Sequence, residues 1–378
     1  MILPGSTIGV MGGGQLGRMF VIAARTMGYK VAVLDPDPGS PAGAMADYHV
    51  QTAYDDTVGL ARMAELCAAI TTEFENVPAE SFQYLQDHCR VHPSPAAVAL
   101  TRDRIREKSF LRDSGVATAP FFAITDDGQL DMAINDIGTP ALLKTATGGY
   151  DGKGQVTIHS AADVHQAYQE LGQVPCVLEK RVALAREVSV VLARNESGQS
   201  ACFPIAENEH INGILDTTIV PARIPETLAQ QARDMATRIA DRLQYVGTMA
   251  VEMFVTEEGE LLVNEIAPRP HNSGHFTLNA TVTCQFEQQV RMLCGLPAGD
   301  TRLLSPVVMI NLLGDIWNKG EPDWASLLVH PEIKLHLYGK AEARIGRKMG
   351  HFNILHADPD HALELSRQAK THLGIPGK

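Results

Sequence analysis

The chain has 378 residues, of which 45% are hydrophobic and 20% are charged, a composition typical of a folded globular protein with two or three domains. Its 32 basic and 44 acidic residues give a net charge of −12, which argues against general affinity for nucleic acid or anionic membranes. The sequence contains neither a signal-peptide pattern nor an apolar run long enough to span a membrane. The six cysteines are scattered, so we expect reduced thiols in a cytoplasmic protein.

A β-α-β unit is predicted at the start of the chain. Apolar strands at Thr7–Met11 and Lys30–Leu34 flank a helix over Met19–Met27, and the turn Gly12–Gly17 has the spacing Gly-x-Gly-x-x-Gly. With Asp35 after the second strand, this is the outline of a dinucleotide-binding site, and an NAD-dependent oxidoreductase is one alternative. Any tight turn that lets a backbone approach a ligand selects the same glycines, however, and the prolines that follow Asp35 favour a rigid loop over a ribose contact.

The next unit ends in acidic residues. A helix around Leu60–Ala69 leads into an apolar strand that is followed by Glu73 and Glu75. In open α/β sheets such strand ends carry ligand contacts, although an acidic helix N-terminus explains either residue equally well. The segment Ala96–Asp113 is then predicted to be one helix, with mostly solvated charges, that connects to a second domain.

The second domain is predicted over residues 109–295. Its strands are expected near Ala141–Lys144, Gln155–Ile158, Cys176–Lys180, Glu187–Ala193 and Thr248–Phe254. The last part of the chain begins with an apolar strand, Val307–Leu312, and ends in a helix, Ala362–Leu373. We therefore predict a mixed α/β and α+β protein with domains at residues 1–108, 109–295 and 296–378.

The most informative stretch is rich in glycine. Thr147–Gly154 contains four glycines and Lys153. Glycine lets backbone N–H groups approach an anion and lysine adds a positive charge, so we predict a mobile loop that covers a phosphate. Lys144 lies just upstream in an apolar strand. For the loop taken alone, a flexible hairpin tip is the alternative.

A pair of carboxylates is predicted farther along. Two apolar runs around Glu257–Glu260 indicate a β-hairpin, and with Glu258–Gly259 as the loop, Glu252 lies opposite Glu265. Like charges so placed in apolar strands are unfavourable unless a cation lies between them. The pair is therefore predicted to bind a divalent cation that bridges nucleotide phosphates, with help from Asn264. A solvated hairpin face in another register is the alternative.

These features occur in the order found in the ATP-grasp superfamily. Within it, the chain is identified as a member of the N5-carboxyaminoimidazole ribonucleotide synthetase family, a resemblance that runs nearly end to end. The segments that carry the resemblance are Gly14–Met19, Gly148–Gln155, Asn264–Arg269, His271–His275, Tyr338–Lys340 and Gly346–His351.

The resemblance implies a Rossmann-like pre-ATP-grasp domain, a two-lobe ATP-grasp clamp and a small C-terminal domain that completes the substrate site. It also implies a ligase that uses ATP and Mg²⁺, without biotin, to activate bicarbonate as carboxyphosphate. The carboxyl group would pass to 5-aminoimidazole ribonucleotide in purine biosynthesis. A homodimer with small-molecule partners, and without nucleic acid or membrane, is expected.

Site residues follow from the same resemblance. Those implied for ATP are Arg104, Lys144, Gly149, Tyr150, Asp151, Gly152, Lys153, Gly154, Gln155, Glu179, Lys180, Arg181, Val182, Glu187, His210, Asn264 and Glu265. Within this set, Glu179 to Val182 would line the adenine, Glu187 would bind the ribose, and His210 is expected in a loop. Those implied for the second substrate are Gln15, Glu75, Tyr150, Asp151, Arg269, His271, Asn272, Ser273, Lys340, Arg347 and Lys348. Glu252 and Glu265 fall on the metal ligands, and Asp151 and Lys340 on catalytic positions.

The reaction that the resemblance implies requires the same residue types. Phosphoryl transfer to bicarbonate needs charge neutralisation and positioning rather than a protein nucleophile. Lys340, Arg347 and Lys348 suit the substrate phosphate, while Tyr150 is expected to stack on the imidazole and Asp151 to orient the amine or accept its proton.

Other functions are weighed against this one. An ATP-grasp ligase acting on glycinamide ribonucleotide would share the clamp and differ in the second pocket. A non-catalytic nucleotide-binding regulator is disfavoured because Lys144, Glu252 and Glu265 are all present. A zinc site at His271 and His275 is disfavoured because no third ligand accompanies them.

Overall fold

The N-terminal part is an open parallel sheet with helices on its faces. The computed structural model describes residues 1–149 and 153–375. The sheet has the strand order β3-β2-β1-β4-β5. Its strands are β1 Thr7–Met11, β2 Lys30–Leu34, β3 Tyr48–Val50, β4 Ala69–Thr72 and β5 Arg90–Val91, and its helices are α1 Gln15–Thr26, α2 Thr57–Leu66, α3 Ala79–Gln86 and α4 Pro95–Thr101.

The central strands of this sheet are almost wholly buried, because helices cover both of its faces. The predicted strands Thr7–Met11 and Lys30–Leu34 are confirmed. The helix predicted over Leu60–Ala69 is displaced toward the N-terminus, since the side chain of Asp56 accepts backbone N–H bonds and starts α2 at the next residue. Ala69 consequently belongs to β4.

A smaller antiparallel sheet begins the second domain. It has the strand order β6-β9-β7-β8, in which each neighbouring pair is antiparallel. The helix that leads into it is α5 Arg104–Asp113. The strands are β6 Phe121–Ile124, β7 Ala141–Thr145, β8 Gln155–Ile158 and β9 Cys176–Lys180, and the helices packed against them are α6 Leu130–Ile137 and α7 Val164–Glu170.

The segment Ala96–Asp113 forms two helices, α4 and α5, and the single predicted helix is wrong. Each helix has its own cap, because Ser94 and Asp103 both accept hydrogen bonds from backbone N–H groups of the first turn. The expectation that its charges are solvated is also wrong for Glu107 and Lys108, whose exposed fractions are 2% and 0%.

A large antiparallel sheet holds the rest of the chain. Its order is β15-β14-β10-β12-β13-β16-β18-β17, and β11 pairs with β10. The first group of elements is β10 Leu184–Arg194, β11 Ser200–Cys202, β12 Ala206–Ile211, β13 Ile214–Val220, α8 Glu226–Arg242, β14 Gly247–Thr256, β15 Leu261–Ala267, α9 Thr277–Ala280 and α10 Gln285–Leu293. The second group is β16 Val307–Leu313, α11 Trp324–Leu327, β17 Ile333–Leu337, β18 Lys348–Leu355 and α12 Pro359–Leu373.

The C-terminal part continues this sheet. Strand β16 pairs with β13, with Thr217 opposite Ile310, so its strands extend a sheet that begins in the second domain. Helix α12 covers one face and packs against β16 and β18 through Ala362, Leu365 and other apolar residues. Within residues 1–149 and 153–375, no helix combines the length and apolar character needed to cross a bilayer.

The hairpin of β14 and β15 has the predicted pairing with a different turn. Glu252 lies opposite Glu265 as expected. The loop, however, contains three residues, 257–259, because Val255 pairs with Leu261 and Thr256 accepts a backbone bond from Gly259. A bulge around Asn264 shifts the register by one residue and restores the predicted pair.

Candidate functional site

A cavity of about 1050 Å³ lies where the parallel sheet, the small sheet and the large sheet meet. It gathers many of the residues that the sequence singled out. Those lining it are Gln15, Glu75, Arg104, Lys144, Gly149, Lys153, Gln155, Glu187, His210, Glu252, Asn264, Glu265, Arg269, His271, Asn272, Lys340, Arg347 and Lys348.

Some predicted residues do not line this cavity. Among the described residues these are Gly154, Glu179, Lys180, Arg181, Val182 and Ser273. Tyr150, Asp151 and Gly152 lie outside the described residues, so the roles expected of them stay predictions.

Lys144 is held at the cavity by a buried ion pair. Its Nζ donates to Glu179 Oε2 over 3.0 Å, and the Nζ of Lys108 lies 3.4 Å from the same oxygen. Burial opposes ionisation of Glu179, yet Lys108 and Lys144 together lower its pKa to about 2. The side chain of Glu179 therefore fixes Lys144; it is buried and does not line the cavity.

The two carboxylates of the hairpin face the cavity side by side. Burial and the neighbouring Glu265 carboxylate raise the pKa of Glu252 to about 7. Arg104 donates to Glu265 over 3.2 Å. His271 Nε2 lies 3.2 Å from Glu252, but the pKa of this histidine is lowered well below its ordinary value, so its ring adds no positive charge there. Further positive charge would therefore stabilise this pair.

The donor set fits a hard divalent cation. Two carboxylates and the Oδ1 of Asn264 are oxygen ligands, and that Oδ1 is buried without a hydrogen-bond partner among the described residues. No cluster of three or more His, Cys, Asp or Glu side chains able to hold a metal occurs in the described part of the chain. The carboxylate pair would thus bind a cation together with oxygens from a ligand, as nucleotide phosphates provide.

Glu187 and His210 form a second polar pair on the cavity wall. The Nδ1 of His210 lies 2.9 Å from Glu187 Oε2. Burial favours a neutral imidazole, but the carboxylates of Glu187 and Glu252 outweigh it and raise the pKa of His210. His210 belongs to strand β12 and the prediction of a loop is wrong, because β12 extends to Ile211 and pairs with β13 from Glu207 to Ile211.

The glycine turn before α1 is occupied by the protein's own carboxylates. Glu73 accepts hydrogen bonds from the backbone N–H groups of Gly14 and Gly17, while Asp35 accepts one from Gly13 over 2.7 Å. A dinucleotide pyrophosphate would need these same donors. This arrangement argues against the NAD-dependent alternative.

Arg269 and Glu75 meet across the boundary between the parallel sheet and the large sheet. The guanidinium donates to both carboxylate oxygens, over 2.5 and 3.2 Å. Burial opposes the charge on Glu75, but Arg269 lowers its pKa below the ordinary value. The two residues reach the cavity as a bidentate pair.

The loop after β15 supplies a neutral histidine and an unpartnered amide. His271 Nδ1 lies 2.9 Å from the hydroxyl of Ser273, which in turn accepts from Ser189. Burial, with Arg269 second, lowers the pKa of His271 well below its ordinary value. Asn272 lines the cavity, and both polar atoms of its side chain are buried without partners in the described structure. Its amide is therefore available to a ligand.

Cations from the loop between β17 and β18, and from the start of β18, also line the cavity. Lys340 Nζ donates to the carbonyl of Lys348 over 2.7 Å, and Arg347 lines the same cavity. Burial, reinforced by Arg347, lowers the pKa of Lys340 to about 8. Arg344 also lines the cavity.

Glu107 and Arg344 line the cavity, but no site role was predicted for them from the sequence. Glu73 was predicted only as a strand-end ligand contact, whereas in the structure it lines the cavity and also caps α1. The spacing from Arg104 to Glu107 places both residues on one face of a helix, which was an available signal. Arg344 lies four residues after Lys340 in a segment already read as basic.

Comparison with known proteins identifies three successive family segments. Residues 5–102 match the ribonucleotide synthetase preATP-grasp domain, residues 109–286 the ATP-grasp domain, and residues 307–365 the phosphoribosylaminoimidazole carboxylase C-terminal domain. These matches confirm the predicted fold class.

Curated relatives align over nearly the whole chain. The N5-carboxyaminoimidazole ribonucleotide synthase of Bacillus subtilis is 44% identical over 364 residues, covering 96% of this chain and 95% of the relative. The enzyme of that name from Brucella melitensis is 45% identical over 350 residues, covering 92% and 96%.

Solved structures agree. The Staphylococcus aureus N5-carboxyaminoimidazole synthetase complexed with ADP has a TM-score of 0.92 at 38% identity, covering 97% of this chain and 98% of the other. The Aspergillus clavatus synthase in complex with ADP and 5-aminoimidazole ribonucleotide has a TM-score of 0.91 at 27% identity, covering 98% and 99%. The chain therefore belongs to the N5-carboxyaminoimidazole ribonucleotide synthetase family of ATP-dependent, ATP-grasp ligases.

Proposed function

We propose that this protein uses ATP and bicarbonate to carboxylate the exocyclic amine of 5-aminoimidazole ribonucleotide, releasing ADP and phosphate. The observation that carries the proposal is the juxtaposition, in one cavity, of a carboxylate pair suited to nucleotide phosphates with a separate cluster of cations. Relatives that align over nearly the whole chain are named for this product, and one solved relative holds both ADP and the ribonucleotide.

The first half-reaction is phosphoryl transfer. An oxygen of bicarbonate attacks the γ-phosphorus of ATP, the bond to the β-γ bridging oxygen breaks, and ADP leaves with carboxyphosphate as the second product. Lys144, fixed by Glu179, and Arg104 supply positive charge where negative charge is transferred. A magnesium ion held by Glu252 and Glu265 would supply further neutralisation of the phosphates.

The second half-reaction transfers the carboxyl group. The amine nitrogen attacks the carboxyl carbon, phosphate leaves, and the nitrogen loses a proton. Lys340, Arg347 and Lys348, which line the cavity, would bind the ribonucleotide phosphate. The expected proton acceptor, Asp151, lies outside the described residues and keeps that role as a prediction.

Several finer statements belong to the same proposal. Magnesium is the preferred cation because the ligands are oxygens and the partner is a nucleotide. Biotin is not expected, since the sequence has no lysine-centred carrier segment. The cytoplasmic location, the homodimer and the domain boundaries at residues 108 and 295 also stay predictions.

ADP release is the direct test. We expect turnover with MgATP only when 5-aminoimidazole ribonucleotide and bicarbonate are both present, accompanied by a labile carboxylated product. Each component is omitted in turn, and a parallel series uses glycinamide ribonucleotide with formate. Turnover restricted to the glycinamide series would show that the second pocket has been misassigned, and turnover with neither would reject the reaction.

A further inference from the structure

A basic loop, residues 338–348, runs from the end of β17 to the first residue of β18 and delivers four cations to the cavity. These are Lys340, Arg344, Arg347 and Lys348. Their charges oppose one another: after burial, the other three cations all contribute to lowering the pKa of Lys340. A segment with this repulsion needs restraint to hold one shape before an anion arrives.

Contacts inside the loop provide part of that restraint. Lys340 donates to the carbonyl of Lys348 over 2.7 Å, and Arg347 donates to the carbonyl of Glu342 over 2.9 Å. The tip is not packed into a core, since Ile345 is 79% exposed. Internal bonds of this kind can move with the loop, so they do not by themselves fix its position against the rest of the cavity.

Two residues directly after β16 attach the loop to the large sheet. Asp315 Oδ2 accepts a hydrogen bond from the backbone N–H of Gly346 over 2.7 Å. Gly314 donates its own N–H to the carbonyl of Arg347 over 2.8 Å. A Cβ at Gly314 would lie 2.2 Å from the carbonyl oxygen of Arg344, so only glycine permits the two backbones to approach this closely.

We propose that Gly314 and Asp315 are positioning residues that hold the basic loop in the shape that binds the phosphate monoester of the ribonucleotide. Neither residue lines the cavity, so both act through the loop. The anchoring bonds hold the backbone of Gly346 and Arg347. They therefore fix the backbone positions from which the side chains of Arg347 and the adjacent Lys348 extend. The inference rests on the proposed function for the identity of the substrate and extends it to residues outside the cavity.

Steady-state kinetics of Asp315→Ala and Asp315→Asn test the proposal. The alanine variant loses the acceptor for Gly346, and we expect the KM for the ribonucleotide to rise about tenfold while kcat and the KM for MgATP stay within about twofold. The asparagine oxygen accepts the same N–H, so Asp315→Asn should restore most of the affinity. Equal increases in both KM values would indicate a general structural role and overturn the proposal.

Asp323→Ala is a matched control. Asp323 also accepts a backbone N–H, from Ser326 at the start of α11 in the same C-terminal part, but it makes no contact with the basic loop. Its removal should leave the KM for the ribonucleotide unchanged. Gly314→Ala, which keeps Asp315 and displaces the backbone of Arg344, should repeat the KM effect through the second anchor.

Binding of ribose 5-phosphate, measured by calorimetry, separates this inference from the proposed reaction. The wild-type protein should bind ribose 5-phosphate, and Asp315→Ala should bind it about tenfold more weakly. The wild-type protein could fail to carboxylate the imidazole ribonucleotide and still bind ribose 5-phosphate more tightly than Asp315→Ala does. That result would reject the reaction and support the positioning role of Asp315. Equal binding by the two proteins, or no binding by the wild type, overturns the proposal that Asp315 positions the basic loop.

Discussion

The surroundings of Lys340 determine the pH range in which its side chain carries a positive charge. Its Nζ is held against the carbonyl of Lys348, and burial with the nearby Arg347 lowers its pKa to about 8. A lysine is charged below its pKa, so Lys340 retains its charge at neutral pH and loses it within a range in which an ordinary lysine stays protonated.

Ribonucleotide binding should consequently weaken in mild alkali. We expect the KM for the ribonucleotide to rise severalfold between about pH 7 and 9.5, because a neutral Lys340 no longer attracts the phosphate. The KM for MgATP, measured over the same range, is the internal reference. In Lys340→Arg the rise should disappear, since a guanidinium stays charged throughout; a rise of the same size in both proteins would contradict the assignment.

The sequence was sufficient to predict site residues whose partners lie close along the chain. The Glu252 and Glu265 pair was predicted from a two-residue turn, and the pairing is correct because the bulge around Asn264 offsets the longer, three-residue loop. The partners of Glu73 and Glu107 could not, since a carboxylate that meets a backbone N–H through space leaves no periodic trace in the sequence. Those two side chains were accordingly read as a strand end and a solvated helix face.

Strand β15 is an edge of the large sheet, and neighbouring elements satisfy its outer hydrogen-bonding groups. Glu107, on α5, accepts a bond from Ile266 N–H over 2.6 Å. On the other side of the bulge, Val263 donates to the carbonyl of Ala117 over 2.8 Å. These bonds flank the bulge around Asn264 and hold it at the cavity.

Replacing Glu107 should therefore disturb nucleotide binding. In Glu107→Ala the N–H of Ile266 loses its acceptor, and we expect a loss of about 1–3 kcal/mol in the free energy of unfolding together with a higher KM for MgATP. Burial and the Glu265 charge raise the pKa of Glu107 to about 8, so a neutral amide is a close mimic. Urea unfolding and kinetics of Glu107→Gln should resemble the wild type; a defect as large as that of alanine would mean that the negative charge is required.

Strands with a clear run of apolar residues were predicted well. The points at which a helix breaks or a strand bulges were not. β1, β2 and the hairpin strands follow from runs of apolar residues between turn residues. The break between α4 and α5 was missed because a run of charged helix formers masks the cap at Asp103. The bulge around Asn264 was missed because it depends on edge contacts from α5, which lies far away in the sequence.

Among the described residues, ion pairs of two kinds join the parallel sheet to the large sheet. Glu75 and Arg269 form a largely buried bidentate pair at the cavity. Glu196 lies near Arg90 and His92, at 3.6 and 3.0 Å, and half of its side chain is exposed. Solvent screens the second contact much more than the first.

Thermal and urea unfolding should separate the two pairs. Glu75→Gln leaves the Arg269 guanidinium poorly compensated, and we expect a loss of about 2–3 kcal/mol, below the range for fully buried pairs. Glu196→Gln, the matched change at the exposed contact, should cost less than about 0.5 kcal/mol. Equal losses in the two variants would show that burial does not distinguish the contacts.

The order of the domains could be predicted from the sequence, but the way they join could not. Glycine patterns and the family resemblance indicated a parallel sheet followed by a clamp and a small C-terminal part. That β16, β17 and β18 extend the sheet of the preceding domain depends on the pairing of Thr217 with Ile310. Strand pairing over such a separation leaves no local signature.

The carboxylate of Glu73 occupies the anion-binding turn before α1 with a group from the same chain. Because Glu73 is tethered to the same chain, its effective concentration at the N–H groups of Gly14 and Gly17 is on the order of millimolar or higher. A free phosphate would have to displace it from that position. The same glycine spacing that admits a dinucleotide in other proteins thus binds a carboxylate of the chain itself here, and that carboxylate is Glu73, which follows β4.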